Sequence, residues 1–353
     1  MLNHLFLHCR PGFEKECAAE ISELAAGLDI FGFCKTKDQS AFVIFIGNEA
    51  DDAETLLQQL NFQQLIFVRQ WFACVPFLDK LPTDNRITPL LESCTELPLC
   101  KELVIETVDT NDGKALSGLR KKIEKPLTSA LKKKGFLRNK SSSRLHIVFL
   151  SGSEAYIGWS PMNNSAAWSS GIPRLKVPRE APSRATLKLE EAWHHFVPAD
   201  EWDHRLAGSM RAVDLGAAPG GWTYQLVRRS MFVDAIDNGP MQEALMETGQ
   251  VTHHKLDGFA YKPKKRVHWL VCDIADKPIR VANMIATWVA KNWCGEAVFN
   301  LKLPMKQRYA EVQKCAAKIE EILADAGVEV EMNFKQLYHD REEVTGHIRR
   351  RDI

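Results

Sequence analysis

The sequence lacks a sizeable net charge of either sign: 46 Lys plus Arg face 45 Asp plus Glu, leaving +1 over 353 residues. No field of the whole protein draws in a polyanion, so any contact with nucleic acid has to be local. Long apolar runs are missing as well. No stretch approaches the roughly 18 residues that span a bilayer, and residues 1–10 carry neither the basic segment nor the small-residue cleavage site of a signal peptide. The expectation is a chain without membrane contact that stays in the cytoplasm. Its nine cysteines are scattered and contain no C-x-x-C, which argues against a disulfide framework and a zinc site; no metal is expected. Internal repeats and low-complexity tracts are also absent. What remains is ordinary globular composition, 45% hydrophobic and 26% charged, in a length that suits two or three domains.

Texture changes along the chain. Pro, Ser, Asn and Gly cluster between 160 and 183, the mark of a linker, and a lesser break falls at 76–89. Before the linker, apolar runs at 5–9, 41–46, 103–108, 145–150 and 155–159 read as strands. Helical stretches lie at 11–26, 51–59 and 116–134, giving small α+β layers. After it the alternation is regular, with strands expected at 211–215, 232–236, 269–272, 296–302, 328–336 and 344–349. Helices are expected at 186–195, 222–229, 241–248, 279–292 and 305–326. This pattern predicts an α/β, doubly wound and mostly parallel sheet, with chemistry just beyond 215, 236, 272 and 301, where the strands end.

The first of those ends reads Asp-Leu-Gly-Ala-Ala-Pro-Gly-Gly-Trp at 214–222. Small residues at Gly216, Ala218, Pro219, Gly220 and Gly221 let a ligand approach the backbone, and the following helix offers unpaired N–H groups. Neither G-x-G-x-x-G nor G-x-x-x-x-G-K-[ST] is present, so the turn is not built for a pyrophosphate. Asp237 ends the second strand, twenty-one residues after Gly216, where a carboxylate holds ribose hydroxyls. Asp257 follows the next extended piece and can accept from an exocyclic amine. An adenosine with a small cationic tail fits these parts, and S-adenosylmethionine is such a ligand; the ordinary reading is a tight turn with two solvated carboxylates.

Lys302 lies inside the apolar run 298–304, and a lysine in a buried strand needs a carboxylate or a task. Asp273 follows the apolar strand 269–272, Lys188 sits on the helix before the first strand, and Glu343 opens the last. Two lysines and two carboxylates brought to one sheet edge suit removal of a proton from a weakly acidic hydroxyl, whose oxygen then attacks a methyl group in line. Singly, each has a plainer role: a solvated helix face for Lys188, a cross-strand ion pair for Glu343, a turn or cap for Asp273.

The ordered set Lys188, Asp273, Lys302 and Glu343, with the turn at 214–222 and Ser-Arg-Ala-Thr-Leu-Lys-Leu at 183–189, resembles the FtsJ-like ribose 2′-O-methyltransferases. Three further segments look like the bacterial methyltransferases of large-subunit ribosomal RNA: Cys-Arg-Pro-Gly-Phe-Glu-Lys-Glu-Cys at 9–17, Gly-Ile-Pro-Arg-Leu-Lys at 171–176 and Tyr-His-Asp-Arg-Glu-Glu-Val-Thr at 338–345. The resemblance covers essentially the whole chain. It implies 2′-O-methylation of a cytidine in 23S rRNA, or in an assembly intermediate of the large subunit, by a monomer using S-adenosylmethionine. It also implies Lys302 as proton acceptor, with Lys188, Asp273 and Glu343 completing the set. Ser183, the stretch 218–221, Asp237, Asp257 and Asp273 would touch the cofactor. Glu342 and Glu343 are adjacent, and only alternation along the strand favours Glu343. The implied domains are ferredoxin-like over 1–80, an RNA-binding THUMP domain over 81–165, a linker over 166–182 and a Rossmann-fold methyltransferase over 183–353.

Composition gives separate support for RNA. Between 114 and 140 lie ten cations, Arg120, Lys121, Lys122, Lys132, Lys133 and Lys134 among them, opposed by Glu124 alone. That is a local phosphate footprint, or else a solvated helix face. Phe136 is its only ring, so backbone and shape recognition is expected over base stacking. Tryptophans 159, 168, 193, 202 and 222 are expected mostly to pack. Two competitors are a non-catalytic ribosome-assembly factor, against which the intact lysine and carboxylate set argues, and a base methyltransferase, whose Asn/Asp-Pro-Pro-aromatic motif is replaced here by Asp-Ile-Ala-Asp at 273–276.

Overall fold

The computed structural model describes residues 2–352; Met1 and Ile353, the outer ends of the first and last expected domains, lie outside the described residues. Two compact units divide between Pro173 and Arg174. Among the described residues no helix is long and apolar enough to cross a membrane.

The first unit contains β1 (His4–His8), α1 (Glu14–Ala26), β2 (Gly32–Thr36), β3 (Phe42–Gly47), α2 (Asp52–Gln59), β4 (Gln70–Cys74), α3 (Ile87–Ser93), β5 (Glu102–Thr107), α4 (Asn111–Ala115), α5 (Ser117–Lys134), β6 (Ser143–Phe149) and β7 (Ala155–Pro161). Its strands make one sheet in the order β2-β3-β1-β4-β7-β6-β5, antiparallel except for β5 beside β6. The residues on either side of 76–89 share that sheet, because β4 pairs with β7. Helices cover it through apolar stripes at fourfold spacing: Cys17, Ile21 and Ala25 on α1, and Ile123, Leu127 and Leu131 on α5.

Two strands here escape a pattern reading for opposite reasons. β4 (Gln-Trp-Phe-Ala-Cys) is buried throughout and does not alternate, while β2 lies at the sheet edge and is largely exposed. The first part of the expected linker is structural. The Ala166 carbonyl accepts from Arg144 Nη1 at 2.6 Å and Gln70 Nε2 at 3.0 Å, and the Ser170 amide donates to Glu106. Its polar composition satisfies buried partners and does not signal a free chain there.

The second unit contains α6 (Thr186–Phe196), α7 (Trp202–Arg205), β8 (Arg211–Leu215), α8 (Gly221–Arg228), β9 (Phe232–Ile236), α9 (Glu243–Glu247), β10 (Val251–His254), β11 (Val267–Cys272), α10 (Pro278–Ala290), β12 (Cys294–Lys302), α11 (Arg308–Asp325), β13 (Val330–Lys335) and β14 (Glu343–Arg350). The order is β10-β9-β8-β11-β12-β14-β13. The first five strands run parallel and β14 lies antiparallel to both its neighbours, so the expected mostly parallel α/β sheet is present. Trp193, Trp222 and Trp269 pack with Leu189, Leu226, Val233, Val271 and Val298 into one core. Each such side chain contributes roughly 2 kcal/mol or more of burial energy. Trp193 and Trp222 are therefore packing residues. The final long helix starts at Arg308, three residues later than expected, because Leu303 N donates to the Glu342 carbonyl at 2.7 Å and Gln307 has φ +56°.

Candidate active site

The parallel strands deliver their C-terminal ends to one edge, and a cavity of about 440 Å³ opens there. Its wall includes Gly216, Ala218, Asp237, Asp257, Gly258, Phe259, Asp273, Ile274, Asp276 and Arg280. The chain leaves β8 through Gly216 at φ +80° and enters α8 through Gly220 at φ +115°, both in the left-handed region that excludes most side chains. A Cβ on Gly220 would meet Leu245 Cδ1 at 2.4 Å. Pro219, Gly220 and Gly221 form the turn beside the cavity and are not part of its wall. Ser183 packs against Gly221, whose Cβ would fall 2.5 Å from the Ser183 hydroxyl.

Asp237 braces this turn, accepting from the Ala218 amide at 3.0 Å and the Gly239 amide at 2.7 Å, one bond on each oxygen. A carboxylate has about four acceptor positions, so capacity remains on both oxygens for a ligand. Asp257 accepts from the Phe259 amide at 3.0 Å. Arg280 lies over the Phe259 ring, 3.9 Å from its centroid, and pairs with Asp276 at 2.6 Å. This last group is not apparent in the sequence, because it joins the loop after β10 to the first turn of α10. Four aspartates against one arginine make a lining that suits hydroxyls and a cation. Together with the absent side chain at Gly216, these residues fit an adenosine with a cationic tail.

Beneath the turn, Asp214 is fully buried; its Oδ2 accepts from the Thr223 hydroxyl at 2.6 Å, and its Oδ1 finds no hydrogen-bond partner among the described residues. Burial, reinforced by Asp273 and Asp237 and opposed by Thr223, pushes its carboxyl up to about 7.

All four residues of the expected lysine and carboxylate set come together. Asp273, held at the end of β11 by its amide to the Leu215 carbonyl at 3.1 Å, accepts from Lys302 Nζ at 2.7 Å and faces Lys188 Nζ at 3.6 Å. Lys188 donates to Glu343, which also lies 3.7 Å from Lys302. In the β12–β14 register Lys302 stands directly opposite Glu343. Glu342 points away and pairs with Arg308 at 2.8 Å, so strand alternation selects Glu343. Burial alone would lower the Lys188 ammonium, but Asp273 and Glu343 outweigh it and leave it above the ordinary lysine value. Lys302 exposes 29% of its side chain against 13% for Lys188, and so is the lysine within reach of an incoming molecule.

In the first unit, α5 carries Lys121, Lys122, Lys132, Lys133 and Lys134 on its exposed surface and Arg120 half-buried. Lys132–134 occupy the last turn, where cations also favour the helix dipole.

The fold and this edge define a Rossmann-type methyltransferase domain: residues 181–327 match the FtsJ-like methyltransferase family. Residues 2–72 match the RlmM ferredoxin-like domain, and 85–161 the N-terminal region of ribosomal RNA large subunit methyltransferase M. A protein named ribosomal RNA large subunit methyltransferase M from Cellvibrio japonicus is 62% identical over 348 residues, 99% of each chain. One of the same name from Pseudomonas syringae pv. tomato is 56% identical over 353 residues, 100% of this chain and 98% of the relative. The chain belongs to the ribosomal RNA large subunit methyltransferase M family. Among solved structures, TrmN from Thermus thermophilus aligns at 12% identity and a TM-score of 0.37 over 98% of this chain and 99% of its own.

Proposed function

We propose that the chain methylates the ribose 2′-oxygen of a cytidine in 23S ribosomal RNA, and that Lys302 accepts the hydroxyl proton. The observation that carries this reading is Asp273, which belongs both to the wall of the adenosine-sized cavity and to the array of Lys188, Lys302 and Glu343. Family membership supports ribosomal RNA as the substrate.

Asp237 would hold the ribose hydroxyls of S-adenosylmethionine and Asp257 its exocyclic amine. Gly216, Ala218 and Asp273 would line its site, and Pro219, Gly220, Gly221 and Ser183 would hold the turn behind it in shape. When bound, that cofactor supplies an electrophilic methyl group. The protein's own task is orientation and proton acceptance. Lys188 stays charged and fixes Glu343 and Asp273, these two carboxylates aim Lys302, and Lys302 Nζ, acting as the neutral amine, takes the proton of the ribose hydroxyl onto its lone pair and becomes the ammonium. Arg120, Lys121, Lys122, Lys132, Lys133 and Lys134 would bind RNA phosphates in the manner of a THUMP domain. A monomer working in the cytoplasm, on free RNA or on an assembly intermediate, fits this reading.

The test is alkaline hydrolysis of RNA labelled by the protein from radioactive S-adenosylmethionine. A 2′-O-methyl group blocks cleavage at its own phosphodiester, so the label is expected in an alkali-resistant dinucleotide. Label in mononucleotides would mean base methylation and overturn the reading.

A further inference from the structure

Asp273 Oδ1 accepts not only from Lys302 but also from Asn300 Nδ2, at 2.9 Å. Asn300 is fully buried on β12, two residues before Lys302 and therefore on the same face of the strand. Its Oδ1 lies 2.8 Å from the Thr345 hydroxyl, which stands opposite it on β14 and is also fully buried. The same hydroxyl lies 2.9 and 3.2 Å from the two oxygens of Asp340, a carboxyl 1% exposed.

Counting protons fixes the direction of this chain. Asp273 sits between two lysines as a carboxylate, so Asn300 must present its N–H₂ to it and its oxygen to Thr345. Thr345 has a single proton, and the Asn300 oxygen takes it. The lone pairs of Thr345 then face both oxygens of Asp340, at 2.9 and 3.2 Å, and a carboxylate there, with no proton to share, would repel the hydroxyl oxygen. We propose that Asp340 is a neutral carboxylic acid and that Asp340, Thr345 and Asn300 form a one-way hydrogen-bond chain that positions Asp273 between Lys302 and Lys188. All three are positioning residues, since none lines the cavity. The proposal rests on the reading of Lys302 as proton acceptor.

The surroundings agree with a neutral acid. Burial raises the Asp340 carboxyl well above its ordinary value; Lys188 opposes this, and Glu343 and Glu191 add to it. The Leu337 amide donates to its Oδ2 at 2.9 Å, which opposes the rise and assigns the proton to Oδ1, 3.2 Å from the Thr345 hydroxyl. The far end of the chain is fixed in turn by α6. Glu191, one turn beyond Lys188, accepts from the Tyr338 and His339 amides at 2.7 and 3.0 Å. The helix that carries Lys188 thus also sets the loop that carries Asp340. With Asn300 holding Oδ1 beside Lys302, Oδ2 of Asp273 is left facing Lys188 at 3.6 Å.

The experiment compares Thr345→Val, Thr345→Ser, Asp340→Asn and Lys302→Ala in the full chain, measuring turnover, S-adenosylmethionine affinity and infrared spectra. Thr345→Val has the same shape without the hydroxyl. It is expected to lower kcat about tenfold to a hundredfold, as displaced reacting groups do, with cofactor affinity kept within about twofold. Thr345→Ser restores the hydroxyl and is expected to restore turnover. Asp340→Asn replaces the O–H donor by an N–H donor, so it should retain turnover and abolish one carbonyl band of a protonated carboxylic acid present in the parent spectrum. Absence of that band from the parent overturns the proposal. So does a Thr345→Val variant with parental kcat, or one that loses turnover and cofactor affinity in equal measure. A fully active Lys302→Ala would instead sink the reading of Lys302, and the infrared band would still judge the chain by itself.

Discussion

Both units are built on seven-stranded sheets and both carry a fully buried carboxyl group on a strand, yet the two are treated in opposite ways. In the first unit Glu106 Oε2 accepts from His146 Nδ1 at 2.9 Å and lies 3.7 Å from His8, while Oε1 accepts from the Ser170 amide. Burial alone would raise its carboxyl, but His146 and His8 outweigh that and hold it below the ordinary carboxylate range. In the second unit Asp214 keeps one oxygen without a partner and is pushed up to about 7. The antiparallel-rich sheet spends its polar residues on closing its own core. The parallel sheet leaves hydrogen-bonding capacity unspent beneath the turn at the strand ends.

Opposite treatment of the two carboxylates predicts opposite signs of pH dependence. Glu106 has a depressed folded value, so its stabilisation is present above the unfolded carboxylate pKa and is lost as pH falls below it. Asp214 has a raised folded value, so its contribution is full below about pH 4 and is lost as pH rises through about 7. Replacing Glu106 by Ala leaves His146 and the Ser170 amide without their partner. At pH 7 this should cost about 3–5 kcal/mol, read as faster hydrogen exchange in β5 and β6. Unchanged exchange would mean that the cluster is not what closes that core. Asp214→Asn should act the other way, stabilising by about 1–3 kcal/mol in urea unfolding at pH 8, with the gain fading toward pH 5. A gain equal at both pH values would show that ionisation is not its cause.

The smallest effect belongs to the surface. Changing Lys132, Lys133 and Lys134 together to Ala should weaken RNA binding and flatten its dependence on salt, by a slope of about 0.7–0.9 for each phosphate no longer neutralised. An unaltered slope would leave these lysines with the helix dipole alone.

What the sequence shows and what it hides follow from the same physics. β8 before Gly216 and β12 up to Lys302 are apolar runs that end beside residues out of keeping with them, so they stand out. β4 does not, because a strand buried on both faces loses the alternation that marks it, and β10, four residues of Val-Thr-His-His at an edge, has too little apolar character. Lys302 is legible because charge inside an apolar strand is costly, and Lys188, Asp273 and Glu343 through the resemblance of the ordered set. Asn300, Thr345 and Asp340 are not. Their roles depend on a cross-strand register that opposes Asn300 to Thr345, and register is a property of pairing that no single strand reveals.

The most direct test of the account is single-turnover methyl transfer to large-subunit ribosomal RNA by Lys302→Ala, with S-adenosylmethionine affinity measured in parallel. The account predicts a rate lower by about 10²–10⁴-fold, the usual contribution of a general base, with affinity within about twofold of the parent. A rate within about threefold of the parent, or affinity lost in the same ratio as the rate, would contradict it.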